Sequence, residues 1–434
     1  MACSSAARTA AWDLSNHVEK LVNTSYSSGT DSGMGAVFVS DLSYGMSPFL
    51  PDDPDGELRA LASYVAQRSA NLTPQASGTQ QALRALLRTI NTYQSNRIEG
   101  QGTHPIDIDR AVRSQNLNLA PDVSLALAMI EAEAAIDRQT MAGPPGELTT
   151  VDALCDLHCK IFSGLPEKAR LVSGPDGRTA VVVPGELRDR DVAVGHHVAG
   201  SSRELTSALQ AFDRQYRVSA ARRSAERGLI AAAAAHHRLA YLHPFLDGNG
   251  RVARMFSRIY IDSVLAYPAL WSLSRGLARS REAYYCALSN ADAARESSTS
   301  GRGSRSAKGL HEFCVYFLTT CLDQVDFMAK RLDINGYKER VTFLVDRAAA
   351  GAIPDMPRLD PGAAPILFQL FLRGELERAE AWRQSGYKER KGRDVVGQLF
   401  EVGLASADSP RGVIRPAFPA VALEILFPGL AGPM

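Results

Sequence analysis

Residues 243–254 read His-Pro-Phe-Leu-Asp-Gly-Asn-Gly-Arg-Val-Ala-Arg, and the fold is read outward from them. The stretch before them, 228–242, is rich in Ala and Leu and predicts a buried helix. Pro244 disfavours the α conformation at His243, so that helix ends about there. Gly248, Asn249 and Gly250 all tolerate positive φ. A loop built from them turns several backbone N–H groups toward one point, which makes an anion nest. A second helix follows directly, and its positive N-terminal end lies at the nest. Arg251 and Arg254 stand in its first turn, where cations oppose the helix dipole. Three positive devices converge, so a polyphosphate is the expected guest. Asp247 is a hard oxygen ligand beside those phosphates, suited to Mg²⁺. His243 is an imidazole at the rim, placed to take a proton near neutral pH. Phe245 points inward and anchors the loop.

At every fixed position this string matches H-x-F-x-[D/E]-G-N-G-R-x-x-R, and the chain resembles the Fic family. The resemblance implies transfer of AMP from ATP to a target hydroxyl. Doc proteins, a related group that phosphorylates, carry Lys where this chain has Gly250, so Gly250 points to nucleotidyl transfer. Carried onto this sequence, the resemblance makes His243 the catalytic base and Asp247 the Mg²⁺ ligand. It makes Phe245, Gly248, Asn249, Gly250, Arg251 and Arg254 the nucleotide-binding residues.

Composition sets the outer bounds. At 434 residues about two to four domains are expected. A net charge of +1 argues against a nucleic-acid coat or a membrane-surface binder. No apolar run is long enough to span a bilayer, and the N-terminus lacks an apolar signal core. Six cysteines without a C-x-x-C pair read as scattered apolar residues of a reducing cytoplasm. Cys155, His158 and Cys159 share a helix face and are read as core, since no second ligand pair matches them. His196, His197, His236 and His237 are read as structural or supporting residues.

Along the chain, residues 1–50 predict loops with one short strand at 35–40, and helices follow at 57–68 and 80–99. The second helix ends in Ser95-Asn-Arg-Ile-Glu99-Gly100. Gly100 is a good stop, but Glu99 puts a negative charge at the negative end of the dipole. A broken local rule points to function; a solvated surface Glu is the alternative. Ser95, Glu99 and Gly100 match the Fic inhibitory motif [S/T]-x-x-x-E-[G/N]. The resemblance implies that Glu99 pairs with Arg254 and blocks placement of the ATP γ-phosphate. Further helices are expected at 106–117, 121–140 and 147–163. The β-branched runs of 170–195 predict a hairpin or two. In Fic proteins a segment like 184–195 forms a flap whose strand edge holds the target, which assigns docking to Gly185, Arg188, Val192 and Val194. An ordinary surface hairpin is the alternative. Tyr284 and Tyr285 stand on a later helix and are candidates to face adenine. Residues 295–309 read as a loop, and 310–331 as an apolar helix. Residues 350–362 read as a linker. Beyond it, three helical stretches and a two-strand wing resemble the winged helix appended to many Fic proteins. Lys388, Arg390, Lys391, Arg393, Arg411 and Arg415 lie near its third helix and wing, where DNA and protein partners stay equally open.

These readings make an all-α Fic fold with a small β-hairpin flap and a C-terminal winged helix-turn-helix. The expected division is a helical region at 1–146, a catalytic domain at 147–335 and a winged helix at 352–434. The expected protein is a cytoplasmic, autoinhibited enzyme using ATP and Mg²⁺, with a Ser, Thr or Tyr hydroxyl of a target protein, or of itself, as acceptor and pyrophosphate as leaving group. No membrane partner is expected, and a homodimer stays open. Two other readings stay open: removal of AMP with Glu99 activating water, and a nucleotide-sensing DNA-binding regulator. The segment 352–434 follows every site motif and is expected to be dispensable for the chemistry.

Overall fold

A computed structural model of the chain describes residues 49–72, 76–114, 119–142, 147–173, 179–194, 197–222, 224–294 and 305–432. The strand expected at 35–40, His196 and most of the loop 295–309 lie outside these residues. Five helices come first: α1 (Glu57–Asn71), α2 (Ser77–Ile98), α3 (Pro105–Ser114), α4 (Pro121–Ala142) and α5 (Val151–Phe162). Two short antiparallel pairs follow, β1 (Leu171–Ser173) with β2 (Thr179–Val181), and β3 (Ala193–Val194) with β4 (His197–Val198). The helical part resumes with α6 (Leu205–Tyr216), α7 (Ala225–Leu242), α8 (Asn249–Val264), α9 (Leu273–Arg279), α10 (Arg281–Asp292), α11 (Ala307–Leu332) and α12 (Ile334–Ala349). The C-terminal part holds α13 (Ala363–Arg373), α14 (Arg378–Gln384), α15 (Glu389–Val402) and the strand pair β5 (Ala405–Ser406) with β6 (Arg415–Pro416). No helix among the described residues is long and apolar enough to cross a membrane.

α7 is the axis of the molecule. Its alanines leave a thin helix that is buried on nearly every side, from Gly228 through Leu239. α1, α6, α8 and α11 pack around it. A Cβ on Gly228 would lie 2.6 Å from the Val264 Cβ, so this glycine lets α7 and α8 cross closely. α2 buries Leu83, Leu86, Leu87 and Ile90, the recurrence that predicts a helix there.

A buried charge cluster joins α2, α4 and α8. Asp137 takes Arg84 at 2.7 Å, Arg88 at 2.8 Å and Arg258 at 2.7 Å. Burial would raise the Asp137 carboxyl, but the charges of Arg258 and Arg84 outweigh it and hold it below the usual range. Glu133, buried at the same place, is pushed up to about 7 by desolvation. Removing one member would strand a charge in a dry interior, so the cluster ties the three helices together.

Residues 350–362, expected as a linker, are packed: Ile353, Met356 and Leu359 are buried in the same core as the rest of the chain. α12 has no counterpart in the sequence reading; Asp333 caps it through the Gly336 N–H at 2.8 Å, and Tyr337, Val341, Leu344 and Ala348 recur on its buried face. The C-terminal part lies directly along α2. Thr79 donates its hydroxyl to the Phe371 carbonyl at 2.7 Å, and a Cβ on Gly78 would lie 2.1 Å from the Gly374 carbonyl oxygen. Farther along α2, the Gln94 amide donates to the Ala431 carbonyl at 2.6 Å.

Candidate active site

The loop between α7 and α8 is built from inside. His243 ends α7 in the left-handed region, with φ 48° and ψ 60°, and its N–H bonds the Leu239 carbonyl at 3.2 Å. For a residue with a Cβ this conformation costs roughly 1–2 kcal/mol, so the surroundings must hold it. Arg188 does so: its Nε donates to the His243 carbonyl at 2.8 Å, and its backbone N–H to the Pro244 carbonyl at 2.9 Å. Of the three loop residues expected to tolerate positive φ, Gly248 alone adopts it, at 81°. Asn249 and Gly250 already belong to α8. The Asn249 side chain closes the loop on Phe245, accepting from its N–H at 2.9 Å and donating to its carbonyl at 2.8 Å. Phe245 is fully buried and stacks on His158 with ring centroids 4.0 Å apart. Phe245 and Asn249 therefore shape the loop. What faces outward is the start of α8, whose first N–H groups have no acceptor within the helix.

His158 is a supporting residue whose role its sequence context hides. Its Nδ1 accepts from the Gly185 N–H at 2.9 Å, which puts the proton on Nε2, 3.3 Å from the Asp247 carbonyl. Burial pushes this imidazole down to about 4, so it stays neutral. It joins α5, Gly185 and the Asp247 backbone through one ring. Among the described residues no cluster of three or more His, Cys, Asp or Glu side chains is arranged to hold a metal ion, and Cys155 and Cys159 are free thiols.

His243 is held in its neutral form. Burial first, and then the nearby His197 and Arg188, push its imidazole down to about 4. A hydrogen bond with the Ala240 carbonyl engages one ring nitrogen and leaves the other as acceptor. Asp247 is half exposed, and its Oδ2 lies 3.9 Å from Arg251 Nη1. A lone carboxylate with open solvent around it suits Mg²⁺, which takes one or two protein carboxylates and completes its shell with phosphate and water.

The two arginines of α8 turn toward α2. Arg254 is buried and donates through Nε to Ser95 Oγ at 2.8 Å, and through Nη2 to Glu99 Oε1 at 2.5 Å and to the Ser95 carbonyl at 3.1 Å. Arg251 donates to Asn96 Oδ1 at 3.2 Å and to Gln101 Oε1 at 2.6 Å. Burial alone would raise the Glu99 carboxyl, but the charge and hydrogen bond of Arg254, with Arg251 and Arg281, hold it below the usual range. Arg281 also caps α2, donating to the Ile98 carbonyl at 2.8 Å. Cations thus compensate the carboxylate at the wrong end of the helix dipole. Gly100, at φ 79°, ends the helix just beyond it. A Cβ on Gly250 would lie 2.3 Å from Glu99 Oε1, so the absence of a side chain there is what admits Glu99.

The residues assigned to docking separate into two kinds. Gly185 has φ 83°, and a Cβ on it would lie 3.2 Å from the Cys155 carbonyl, so it is a packing glycine. Arg188 is buried and also donates to the carbonyls of Arg190 at 2.8 Å and Gly200 at 2.6 Å, so its side chain is a clamp, not a docking surface. Val192 and Val194 lie on the β3 segment: the Val192 carbonyl accepts from the Ala199 N–H at 3.1 Å, and Val194 pairs with His197. Tyr284 is buried, with its hydroxyl 2.8 Å from His236 Nε2, and cannot face adenine; Tyr285 is exposed beside Arg281.

Residues 148–261 match the family profile described as Fic/DOC, so the chain carries a Fic/DOC domain over the part that holds this loop. The protein adenylyltransferase Fic of Drosophila ananassae is 35% identical over 79 residues, which are 18% of this chain and 16% of that relative's length. A crystal structure of a Fic family protein from Desulfovibrio desulfuricans G20 aligns with 85% of this chain and 98% of its own, at 15% identity and a TM-score of 0.48. Fic-1 from C. elegans aligns with 64% of this chain and 73% of its own, at 14% identity and a TM-score of 0.47.

Proposed function

We propose that the protein is an autoinhibited adenylyltransferase that moves AMP from ATP to a hydroxyl of a protein, with pyrophosphate leaving. The observation that carries this reading is the Arg254–Glu99 contact at 2.5 Å, made across the very loop whose rim holds His243. His243, neutral and with one nitrogen free, takes the proton of the acceptor hydroxyl. The hydroxyl oxygen then attacks the α-phosphorus as the bond to the β-phosphate oxygen breaks. The N–H groups at the start of α8 and the arginines at 251 and 254 hold the phosphate charge, so most of the work is positioning and electrostatics. Mg²⁺, when bound, neutralises charge on the phosphates, and Asp247 is the residue that would hold it. While Glu99 occupies Arg254, the γ-phosphate has no cation there.

α13–α15 with β5 and β6 are read as a winged helix that docks protein rather than DNA. Of the six cations near its third helix and wing, three are paired within the same region: Lys391 with Asp360 at 3.3 Å, Arg393 with Glu389, and Arg415 with Asp408 at 2.5 Å. These pairings reduce the positive charge free to meet phosphates.

The test is incubation with α-labelled ATP and Mg²⁺, comparing wild type with Glu99→Gly. Strong labelling of protein by the variant and little by wild type is expected. Labelling by neither, with ATP bound by both, overturns the transferase reading. Release of AMP from a modified substrate by wild type, lost in Glu99→Gly, would favour the reverse reaction.

A further inference from the structure

Behind the His243 rim lies a polar network that the proposed chemistry does not use. His197 opens β4 and points into the body. Its Nδ1 lies 3.0 Å from Asp292 Oδ2, and its Nε2 lies 2.9 Å from the Tyr241 carbonyl. Both partners are oxygens, so the ring bridges a carboxylate and a backbone carbonyl through its two nitrogens. Asp292, at the end of α10, is fixed from the other side: its Oδ1 lies 3.0 Å from Nε2 of the fully buried His237, and the Nδ1 of that ring accepts from Arg238 at 3.1 Å. Burial would raise the Asp292 carboxyl, but the two imidazoles hold it far below the usual range. Arg305 secures the same turn through the Asp292 backbone carbonyl at 2.9 Å.

The position of this bridge gives it meaning. Tyr241 is two residues before His243, on the last turn of α7. The β3–β4 pair is therefore pinned to the catalytic loop at two places. Arg188 ties Gly200 and the His243 carbonyl together, and His197 ties β4 to the Tyr241 carbonyl. The strands are only two residues each, so their own ladder cannot hold them in place. Val198, beside His197, is 59% exposed, so the pair presents an accessible outer surface.

We propose that His197 is a positioning residue: bridged between Asp292 and Tyr241, it sets the height of the β3–β4 edge above His243, and so the place at which a protein acceptor strand presents its hydroxyl. This rests on the adenylyltransferase reading above. A water molecule needs no strand edge, so the bridge matters for a protein acceptor and little for water.

The experiment uses the full chain with Glu99→Gly, adding His197→Ala, His197→Gln or His197→Asn. Transfer of label from α-labelled ATP to protein is compared with release of free AMP to water. We expect His197→Ala to lower protein labelling at least tenfold further than AMP release. The two amides separate the arms, since the Asn amide nitrogen sits near Nδ1 and the Gln amide nitrogen near Nε2. Partial rescue by His197→Gln identifies the Tyr241 arm as the one that sets the edge. Equal loss of both activities, or undiminished protein labelling, overturns the proposal. Absence of transfer in every variant overturns the transferase reading itself. The anchor is then decided by amide exchange at residues 192–194 and 197–200: protection lost in His197→Ala supports it, and unchanged protection overturns it.

Discussion

Arg254 and Glu99 are bonded at 2.5 Å although 155 residues separate them in the chain. In the proposed reading the contact puts a carboxylate where the γ-phosphate would meet Arg254. A charge-assisted hydrogen bond contributes about 1.5–3 kcal/mol, which corresponds to roughly 10–100-fold. Glu99→Gln should therefore raise labelling with α-labelled ATP by that order. The carboxyl is held below its usual 4.5, so the pair stabilises the fold above that pH and the contribution is lost as pH falls through the lowered value. The difference in Tm between wild type and Glu99→Gln, measured without ATP, should accordingly be present at pH 7 and shrink below about pH 4.

His243→Ala should lose roughly 10²–10⁴ of the transfer rate in the Glu99→Gly background while ATP affinity persists. The imidazole sits at about 4 because of burial, His197 and Arg188. A base must be unprotonated to act, so kcat/KM should hold steady from pH 8 to about 6 and fall only in the acid range, since this ratio reports the free enzyme. A midpoint near 6.5 would mean the ring is not shielded as described.

Gly248→Ala should destabilise the protein by on the order of 2 kcal/mol or more, from a left-handed backbone combined with overpacking. Its φ is 81°, and the new Cβ would lie 2.4 Å from the Phe162 ring. Thermal unfolding of the nucleotide-free protein measures this directly.

The segment 352–434 holds none of the loop residues and is expected to be dispensable for the chemistry. Its packing on α2, the helix that leads to Glu99, predicts an effect on the inhibited state as well. Gly78→Ala would drive a Cβ to 2.1 Å from the Gly374 carbonyl oxygen and push the C-terminal part off α2. Labelling should rise severalfold over wild type but stay below Glu99→Gly, with ATP affinity and the His243 site intact. Wild-type labelling in a variant that melts normally would show that this grip does not reach Glu99.

The loop itself was legible in the sequence because its contacts are local. Pro244 stops α7, Asn249 bonds Phe245 four residues away, and Gly248 supplies the left-handed turn. Glu99 was legible as an oddity, a carboxylate at the negative end of a helix. The inward, anchoring place of Phe245 was legible too; the side-chain bonds by which Asn249 closes the loop on it were not, since a motif position does not say which way a side chain points. His158 reads in the sequence as one more residue on a core helix face, and nothing in the sequence singles out Asp292. What they do depends on which elements arrive beside them. The tertiary structure alone decided that Gly250 leaves room for Glu99, and that Gln94 of α2 meets Ala431 across 337 residues of chain. The reason is physical: turn chemistry and capping act within a few residues of backbone. Close approach between helices depends instead on the packing of the whole core, which no local pattern encodes.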